Sequence, residues 1–216
     1  MYLPDHYRVD DLGAIHALMR ARPFATIVTQ GQSGLEASHV PTLLKADEGE
    51  HGVIEMHLAR ANLQWKQAQA GHEALVIFGG PEAYIRPGWY PTKQETGKVV
   101  PTWNYAVVHA HGRAEAMPSK EWLARHVAEL SASLEERYAA PWSTDDAPES
   151  FIDVMVRGIV GLRFEISRLE GKLKLNQNKT ENDQIGTIDG LRQRAEGGDL
   201  EIAELMTNGR DTSLDG

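Results

Sequence analysis

Apolar residues recur along the chain with two periods, one typical of α-helices and one typical of β-strands. Spacings of three and four residues predict five helical segments: residues 12–22, 63–70, 120–138, 148–156 and 185–206. Alternation and short apolar runs predict seven strands: residues 24–30, 35–45, 53–58, 74–78, 83–86, 103–117 and 159–169. The strands follow one another in hairpins, and helices lie between them without regular alternation. This order predicts an α+β protein, with an antiparallel sheet or barrel and peripheral helices.

Charge is distributed unevenly along this pattern. The chain has 22 lysines and arginines against 31 acids, a formal net charge of −9. Residues 180–216 contain nine of the acids and three of the bases, and Gly197 and Gly198 interrupt their helical pattern. We therefore expect a first domain over residues 1–179 and an acidic helical tail over residues 180–216, packed on or beside it. Because the overall field repels phosphate, any DNA-binding surface must be a local basic patch.

Composition excludes several classes of function. The 216 residues include no cysteine, which excludes a disulfide scaffold, thiol catalysis and cysteine-bound metal centres. Apolar runs such as residues 74–78 are far shorter than the ~20 residues of a membrane span. The first residues lack the pattern of a secretory leader. We expect a soluble, cytoplasmic protein that does not contact membranes.

A first group of polar residues surrounds a predicted strand and the start of a predicted helix. Ser38 and His39 lie within a strand, and Arg60 and Asn62 lie where the next strand passes into a helix. Free backbone N–H groups and the helix dipole favour an anion at such a junction. The group therefore indicates a phosphate site. The alternative is that Asn62 only caps the helix and Arg60 is an ordinary surface charge.

A second group combines aromatic and hydrogen-bonding side chains on both sides of a loop rich in proline and glycine. It consists of Tyr84, Trp89, Thr102, Trp103 and Asn104. Rigid turns that carry tryptophan can present a flat surface to a planar ring, with the polar side chains supplying hydrogen bonds. The alternative is that these aromatic residues close the end of a barrel.

Two smaller groups carry charge or imidazole. Lys172, Lys174 and Lys179 form a basic cluster that could bind a cofactor phosphate or a nucleic-acid backbone, or could simply be a solvated strand end. His109 and His111 share one strand face, which is half of a metal site, but no carboxylate stands at a fixed ligand spacing. We assign no metal ligand and no catalytic residue.

Several blocks of this sequence resemble the PaiB-type FMN-binding negative transcriptional regulators. These blocks are Met1-Tyr-Leu-Pro-Asp-His-Tyr7, Ser38-His-Val-Pro41, His57-Leu-Ala-Arg-Ala-Asn62, Phe78-Gly-Gly-Pro-Glu-Ala-Tyr-Ile-Arg-Pro-Gly-Trp-Tyr90, Val100-Pro-Thr-Trp-Asn-Tyr105 and Lys172-Leu-Lys-Leu-Asn-Gln-Asn178. They occur in the order of the family and span residues 1 to about 206. The chain has Leu175-Asn176 where the family leads us to expect Leu-Ser.

The resemblance implies an FMN-binding split β-barrel that forms a homodimer, with the flavin at the subunit interface. FMN needs an anion site for its phosphate and a flat cleft for its ring. On that expectation, Ser38, His39, Arg60 and Asn62 suit the phosphate and ribityl chain. The ring would lie against Tyr84, Trp89, Trp103 and Asn104, with Thr102 as a further hydrogen-bonding group. Lys172 and Gln177 would reach the phosphate or the flavin edge from the partner subunit.

The resemblance also implies a cytoplasmic repressor linked to protease production and sporulation. The sequence offers no DNA-reading motif, so direct DNA binding would depend on pooled basic patches around Lys172, Lys174 and Lys179. Regulation through a protein partner or through redox state fits equally well. The alternative function is a flavin-dependent oxidoreductase that uses NAD(P)H. A weaker alternative is a barrel that has lost flavin, or that binds haem through His109 or His111.

Overall fold

The computed structural model describes residues 1–31, 34–69 and 71–211. Within these residues it contains seven α-helices: Leu12–Ala21 (α1), Gln64–Gln69 (α2), Thr92–Thr96 (α3), Lys120–Glu135 (α4), Glu149–Arg157 (α5), Glu181–Arg194 (α6) and Asp199–Asp211 (α7). It contains seven strands: Arg8–Val9 (β1), Phe24–Gly31 (β2), Gly34–Lys45 (β3), Val53–Ala59 (β4), Ala74–Ile85 (β5), Thr102–Met117 (β6) and Ile159–Lys174 (β7). No helix of these residues is long and apolar enough to cross a lipid bilayer.

The strands form one sheet in the order β1-β7-β4-β3-β2-β5-β6, and an additional pairing joins β7 to β6. That pairing closes a ring of six strands and leaves β1 as an added strand on β7. The paired registers are antiparallel, for example Ile27 opposite Ser38 and Met56 opposite Leu162. The α+β prediction with an antiparallel split barrel and peripheral helices is confirmed.

Most element boundaries follow the sequence pattern closely. The short elements β1 and α3 are not predicted, and the helical segment predicted over residues 185–206 is the two helices α6 and α7, which are separated at Gly197 and Gly198. Two long strands also need correction. The predicted strands 74–78 and 83–86 are parts of one strand, β5, because residues Gly79 to Glu82 continue the extended backbone. The strand predicted over residues 159–169 extends to Lys174, so Lys172 lies within β7 rather than after it. Glycine and charged residues weaken the sequence signal at both places, whereas pairing with neighbouring strands maintains the extended backbone.

The described residues divide into two compact units. Unit 1 consists of residues 1–11, 79–108 and 170–211, and unit 2 consists of residues 12–78 and 109–169. Strands β5, β6 and β7 each contribute to both units. The sequence boundary expected at residue 179 stays a prediction, and residues 212–216 of the predicted tail lie outside the described residues.

Unit 2 has a core of aliphatic and aromatic side chains that alternate inward along its strands. Ile27, Ile54, Met56, Leu162 and Phe164 are fully buried. The long helix α4 begins at an N-cap serine, Ser119, whose hydroxyl accepts from the backbone N–H of Trp122. Trp122 packs so closely on β7 that a Cβ at Gly161 would lie 2.2 Å from its ring. Only glycine fits under this ring.

Unit 1 has its own core, which lies between the C-terminal part of β5 and the helices α6 and α7. Ile85 and Tyr90 pack with Ile188, Leu191 and Ile202, all of them buried. Helix α6 begins at Thr180, whose hydroxyl accepts from the backbone N–H of Asp183. It ends at Ala195, which has the left-handed backbone that usually requires glycine at this position (φ 50°).

Candidate functional site

Ser38 and Asn62 form a hydrogen-bonded pair in unit 2. The Nδ2 group of Asn62 donates to the hydroxyl of Ser38 at 2.9 Å, and the Oδ1 of Asn62 accepts from the backbone N–H of Gln64 at 3.0 Å. Asn62 thus caps the start of α2 and holds Ser38 at the same time. Because Asn62 uses the hydroxyl of Ser38 only as an acceptor, the Ser38 proton can be donated to a ligand.

His39 lies on the opposite face of β3 from Ser38. Side chains alternate along a strand, and Ser38 pairs with the buried Ile27, whereas His39 pairs with Thr26. The Nδ1 of His39 lies 2.8 Å from the hydroxyl of Thr26, and its ring stands 6.2 Å from that of Phe24. The structure therefore brings Ser38 and Asn62 together and directs His39 away from them.

Arg60 is an exposed residue that four hydrogen bonds hold in place. Its backbone N–H donates to the carbonyl of Gly158 at 2.8 Å, and its carbonyl accepts from the indole of Trp65 at 3.3 Å. Its Nε donates to the carbonyl of Arg157 at 2.9 Å, and its Nη2 donates to the carbonyl of Ile159 at 2.9 Å. Surface arginines ordinarily lose much rotamer entropy when they bind a ligand, but this guanidinium is already ordered.

The aromatic group lies in unit 1, and two of its members form an exposed pair. The rings of Tyr84 and Trp103 meet edge to face with their centres 5.8 Å apart. Tyr84 is 38% exposed and Trp103 is 51% exposed. With that much free surface, the pair leaves aromatic ring surface against which a planar ring can pack.

Trp89 belongs instead to the packing of unit 1. A Cβ at Gly190 of α6 would lie 2.3 Å from its indole ring, so the helix backbone rests directly on the ring. The guanidinium of Arg194 lies over the ring at 4.9 Å, while it also donates to Asp199 at 2.5 and 2.6 Å. The hydrogen bonds from Arg194 lower the pKa of Asp199 below its usual value. Trp89 is thus covered by α6.

Asn104 is buried and Thr102 is half-buried, and both make contacts within unit 1. Asn104 is fully buried, and its Nδ2 lies 3.5 Å from the sulfur of Met206. Its Oδ1 has no hydrogen-bond partner among the described residues. Thr102 accepts a hydrogen bond of 2.5 Å from the ammonium of Lys174. The polar residues predicted to bind the ring therefore make contacts inside unit 1.

Lys172 is buried beneath three tyrosines. Its ammonium lies 5.7 Å from the ring centre of Tyr2, 5.8 Å from that of Tyr7 and 5.3 Å from that of Tyr105. It also donates to the backbone carbonyl of Tyr2 at 3.1 Å. We call Lys172, Tyr2, Tyr7 and Tyr105 the tyrosine cage. It joins the N-terminal block, the Trp-Asn-Tyr block and the late lysine block of the sequence in one cluster.

The other residues of the late block also make contacts inside unit 1. Lys174 donates to the carbonyl of Trp103 at 2.5 Å. Burial, followed by the positive charges of Lys172 and Lys179, lowers the pKa of Lys174. The ammonium of Lys179 lies 5.4 Å from the ring centre of Tyr90. The side-chain amide of Gln177 donates to the carbonyl of Leu173 at 2.6 Å and accepts from the N–H of Leu175 at 2.7 Å.

A chain of ionisable groups that the sequence does not indicate lies between β4 and α4 in unit 2, with His126 and Glu55 buried and His57 half-buried. Nδ1 of His57 lies 3.1 Å from Nε2 of His126, and Nδ1 of His126 lies 3.6 Å from the carboxylate of Glu55. Arg125 donates to the same carboxylate at 2.9 and 3.3 Å. Burial and the nearby His126 lower the pKa of His57 to about 4. Alternation places Glu55 and His57 on one strand face, but nothing in the sequence pairs that face with His126.

Burial opposes the ionised form of Glu55, yet its pKa is lowered to about 2. The close approach of His126, the hydrogen bonds from Arg125 and the positive charges of Arg125 and Lys45 outweigh burial. Glu55 therefore remains a carboxylate under a buried imidazole. This chain links β4 to α4, and we regard it as structural.

The chain resembles proteins of known family and fold. The family model described as "Putative FMN-binding domain" matches residues 1–168. Protease synthase and sporulation protein PAI 2 from Bacillus subtilis is 31% identical over 206 residues, which cover 95% of this chain and 96% of that protein.

Two solved structures share the fold at low sequence identity. The flavocytochrome Anf3 from Azotobacter vinelandii superimposes with a TM-score of 0.56 at 14% identity, covering 83% of this chain and 75% of that one. The FAD and heme binding protein from Mycobacterium smegmatis gives a TM-score of 0.57 at 10% identity, covering 83% and 78%. At these identities the likeness concerns the fold alone.

The family match covers more than three-quarters of the sequence, and the similarity to PAI 2 runs along almost the whole chain. The resemblance noted in the sequence blocks is confirmed. The chain belongs to the FMN-binding domain family that includes protein PAI 2 of Bacillus subtilis, and FMN is its cofactor.

Proposed function

We propose that this protein is an FMN-binding regulator of the PAI 2 type, a repressor of genes for protease production and sporulation that works as a cytoplasmic homodimer with flavin at the subunit interface. The similarity to PAI 2 over 95% of the chain supports this proposal, because it includes the segments after the family domain as well. When bound, FMN supplies a ring that can accept and release one or two electrons.

The ordered guanidinium of Arg60 is the observation that carries the cofactor part of the proposal. Arginine binds phosphate through its planar fork of N–H groups. Carbonyl oxygens accept from two of the five N–H groups of Arg60, which leaves three for a ligand. Because these hydrogen bonds restrict the side chain, phosphate binding costs less conformational entropy than it would for an unrestrained surface arginine. This donor set fits the phosphate of FMN.

Neutral donors in unit 2 join Arg60 in the set of residues that we assign to the phosphate and ribityl chain of FMN. Ser38 has a hydroxyl proton to donate, and Asn62 fixes its position. These groups suit the hydroxyls of a ribityl chain. Within unit 1, the exposed pair Tyr84 and Trp103 has an aromatic surface that suits a planar ring such as isoalloxazine. We assign no direct flavin contact to His39, Trp89, Asn104, Lys172 or Gln177, because each is turned away or engaged elsewhere.

The contacts of the lysine block favour regulation without direct DNA binding by this block. Lys172 lies in the tyrosine cage, Lys174 donates to a hydroxyl and a carbonyl, and Lys179 lies over Tyr90. Moving these cations to DNA phosphates would break those contacts, and the net charge of −9 opposes binding as well. We propose that the flavin state is communicated to a protein partner.

An anaerobic reduction experiment separates a regulator from an oxidoreductase. The purified protein is saturated with FMN, desalted, and mixed with NADH or NADPH while the flavin absorbance is followed. For a regulator we expect retained flavin that bleaches no faster than free FMN under the same conditions. Rapid bleaching at the first turnover would instead support a flavin-dependent oxidoreductase. Loss of all flavin on desalting, together with no binding by titration, would contradict the cofactor assignment to these residues.

A further inference from the structure

The exposed guanidinium of Arg60 is held at the junction between the C-terminal end of α5 and the start of β7. The acceptors of its Nε and Nη2 groups are the carbonyls of Arg157 and Ile159, and its backbone N–H donates to the carbonyl of Gly158. Arg157 is the last residue of α5, and Gly158 and Ile159 follow it directly. Three successive carbonyls, from the last residue of α5, from Gly158 and from the first residue of β7, therefore set where Arg60 lies and which of its N–H groups are left for a ligand.

Helix α5 is short, so its stability depends on its contacts with the rest of unit 2. It has nine residues, and isolated helices of this length are marginal in water. Val156 is buried, whereas Phe151, Val154 and Met155 are 50–55% exposed. One ion pair, from Lys120 of α4 to Asp153 at 2.7 Å, fastens α5 to its neighbour. Arg60 adds hydrogen bonds to the last carbonyls, where a cation is favourable to the helix dipole.

We propose that the C-terminal end of α5 positions Arg60 for the phosphate of FMN, so that cofactor binding and the order of α5 are thermodynamically coupled. The inference rests on the phosphate assignment made above for Arg60. A phosphate that binds the free N–H groups holds the guanidinium in the orientation that also bonds the carbonyls. Binding therefore stabilises α5, and by reciprocity an ordered α5 increases the affinity for FMN. The helix would thereby present its exposed residues differently to a partner in the bound and free protein.

Hydrogen exchange measured with two flavins tests the coupling. Riboflavin has the same ring and ribityl chain as FMN but lacks the phosphate. We expect FMN to slow amide exchange in residues 149–158 at least threefold, and riboflavin at equal saturation to leave it unchanged. The same slowing with riboflavin would show that the phosphate is not the cause, and would overturn the proposal.

Two substitutions test which contacts transmit the effect. Arg60→Lys keeps the charge but loses the planar fork, so we expect about a tenfold loss of FMN affinity and no change for riboflavin.

Asp153→Asn removes the ion pair to Lys120, and we expect a smaller loss of about two- to fivefold for FMN alone, because exposed ion pairs are weak. Glu48→Gln is the matched control, since it breaks a comparable ion pair with Arg163 of 2.9 Å elsewhere in unit 2. It should change neither affinity.

The outcomes separate this inference from the proposed function. Binding of FMN without any response of α5, or an equal effect of Asp153→Asn and Glu48→Gln, would overturn the coupling while the flavin assignment stands. Failure of the parent protein to bind FMN would overturn both. Circular dichroism spectra of the variants check that they fold like the parent protein, and Asp153→Asn still tests the coupling if Arg60→Lys does not fold.

Discussion

The ammonium of Lys172 lies 5.3 Å from the ring centre of Tyr105, inside a cage that Tyr2 and Tyr7 complete. Lys172 is 7% exposed, and a buried ammonium is tolerated because the ring faces and the carbonyl of Tyr2 replace its hydration. The cage secures the N-terminal segment to β7, where Arg8 also pairs with Lys172 in the sheet.

Replacing Lys172 by methionine tests this cage. Lys172→Met keeps a flexible side chain of similar length but removes the charge and the hydrogen bond to Tyr2. We expect a loss of about 1–3 kcal/mol in the free energy of unfolding, together with faster proteolysis of the first ten residues. Lys98→Met, at an exposed position, is the control and should change stability by less than about 0.5 kcal/mol. Equal stability of both variants would show that the cage contributes nothing measurable.

The buried His57–His126–Glu55 chain predicts how stability depends on pH. The pKa of His57 is about 4 in the folded protein and about 6.5 when the residue is free. Between these values the unfolded chain binds a proton that the folded protein does not, so stability falls as pH decreases from 6.5 to 4. The pKa of Glu55 is about 2, below its ordinary 4.5. Its contribution is therefore present above pH 4.5 and is lost between pH 4.5 and 2.

Chemical unfolding at a series of pH values measures this dependence. His57→Asn keeps an amide that can donate or accept near the position of Nδ1 but cannot titrate, so we expect a shallower loss of stability between pH 6.5 and 4 than in the parent. His72→Asn replaces an exposed histidine and serves as the control. An unchanged pH profile in His57→Asn would contradict the lowered pKa of His57.

Ala195 has a φ of 50° at the end of α6, a backbone conformation that glycine adopts at no steric cost. We predict that Ala195→Gly raises the free energy of unfolding by about 0.5–1 kcal/mol, because relief of the left-handed strain exceeds the entropy lost by glycine. Thermal melting checks the prediction. Ala132→Gly, at an exposed position within α4, should have the opposite sign, with a loss of about 1 kcal/mol. Destabilisation by Ala195→Gly would contradict the observed cap.

The sequence predicts the fold well because periodicity and turn residues determine local elements directly. It places helices α1, α4 and α5 and strands β2, β3 and β6 within a few residues of their positions. It divides β5 in two because Gly79 and Gly80 resemble a turn, although Gly80 lies in the strand where a Cβ would contact Ala106 at 2.7 Å. The close approach of that neighbour, which the local sequence cannot show, explains the glycine.

The candidate site is harder to predict because it depends on long-range contacts. Strand alternation alone predicts that the adjacent residues Ser38 and His39 point to opposite faces of β3, and this signal is present in the sequence. The contacts of Arg60 with Arg157 and Ile159 span almost a hundred residues, so no local pattern indicates them. Asn176, which has a φ of 63° and donates to the hydroxyl of Tyr90 at 3.1 Å, shows why asparagine fits this position of the late block.

A calorimetric titration of FMN into the parent protein and into Arg60→Ala tests the phosphate assignment directly. We expect the parent protein to bind one FMN per chain. In Arg60→Ala we expect an affinity at least tenfold lower, because a charge-assisted contact to phosphate contributes about 1.5–3 kcal/mol, with riboflavin affinity unchanged. Equal FMN affinity of the two proteins, with the variant folded, would contradict the assignment of the phosphate to Arg60.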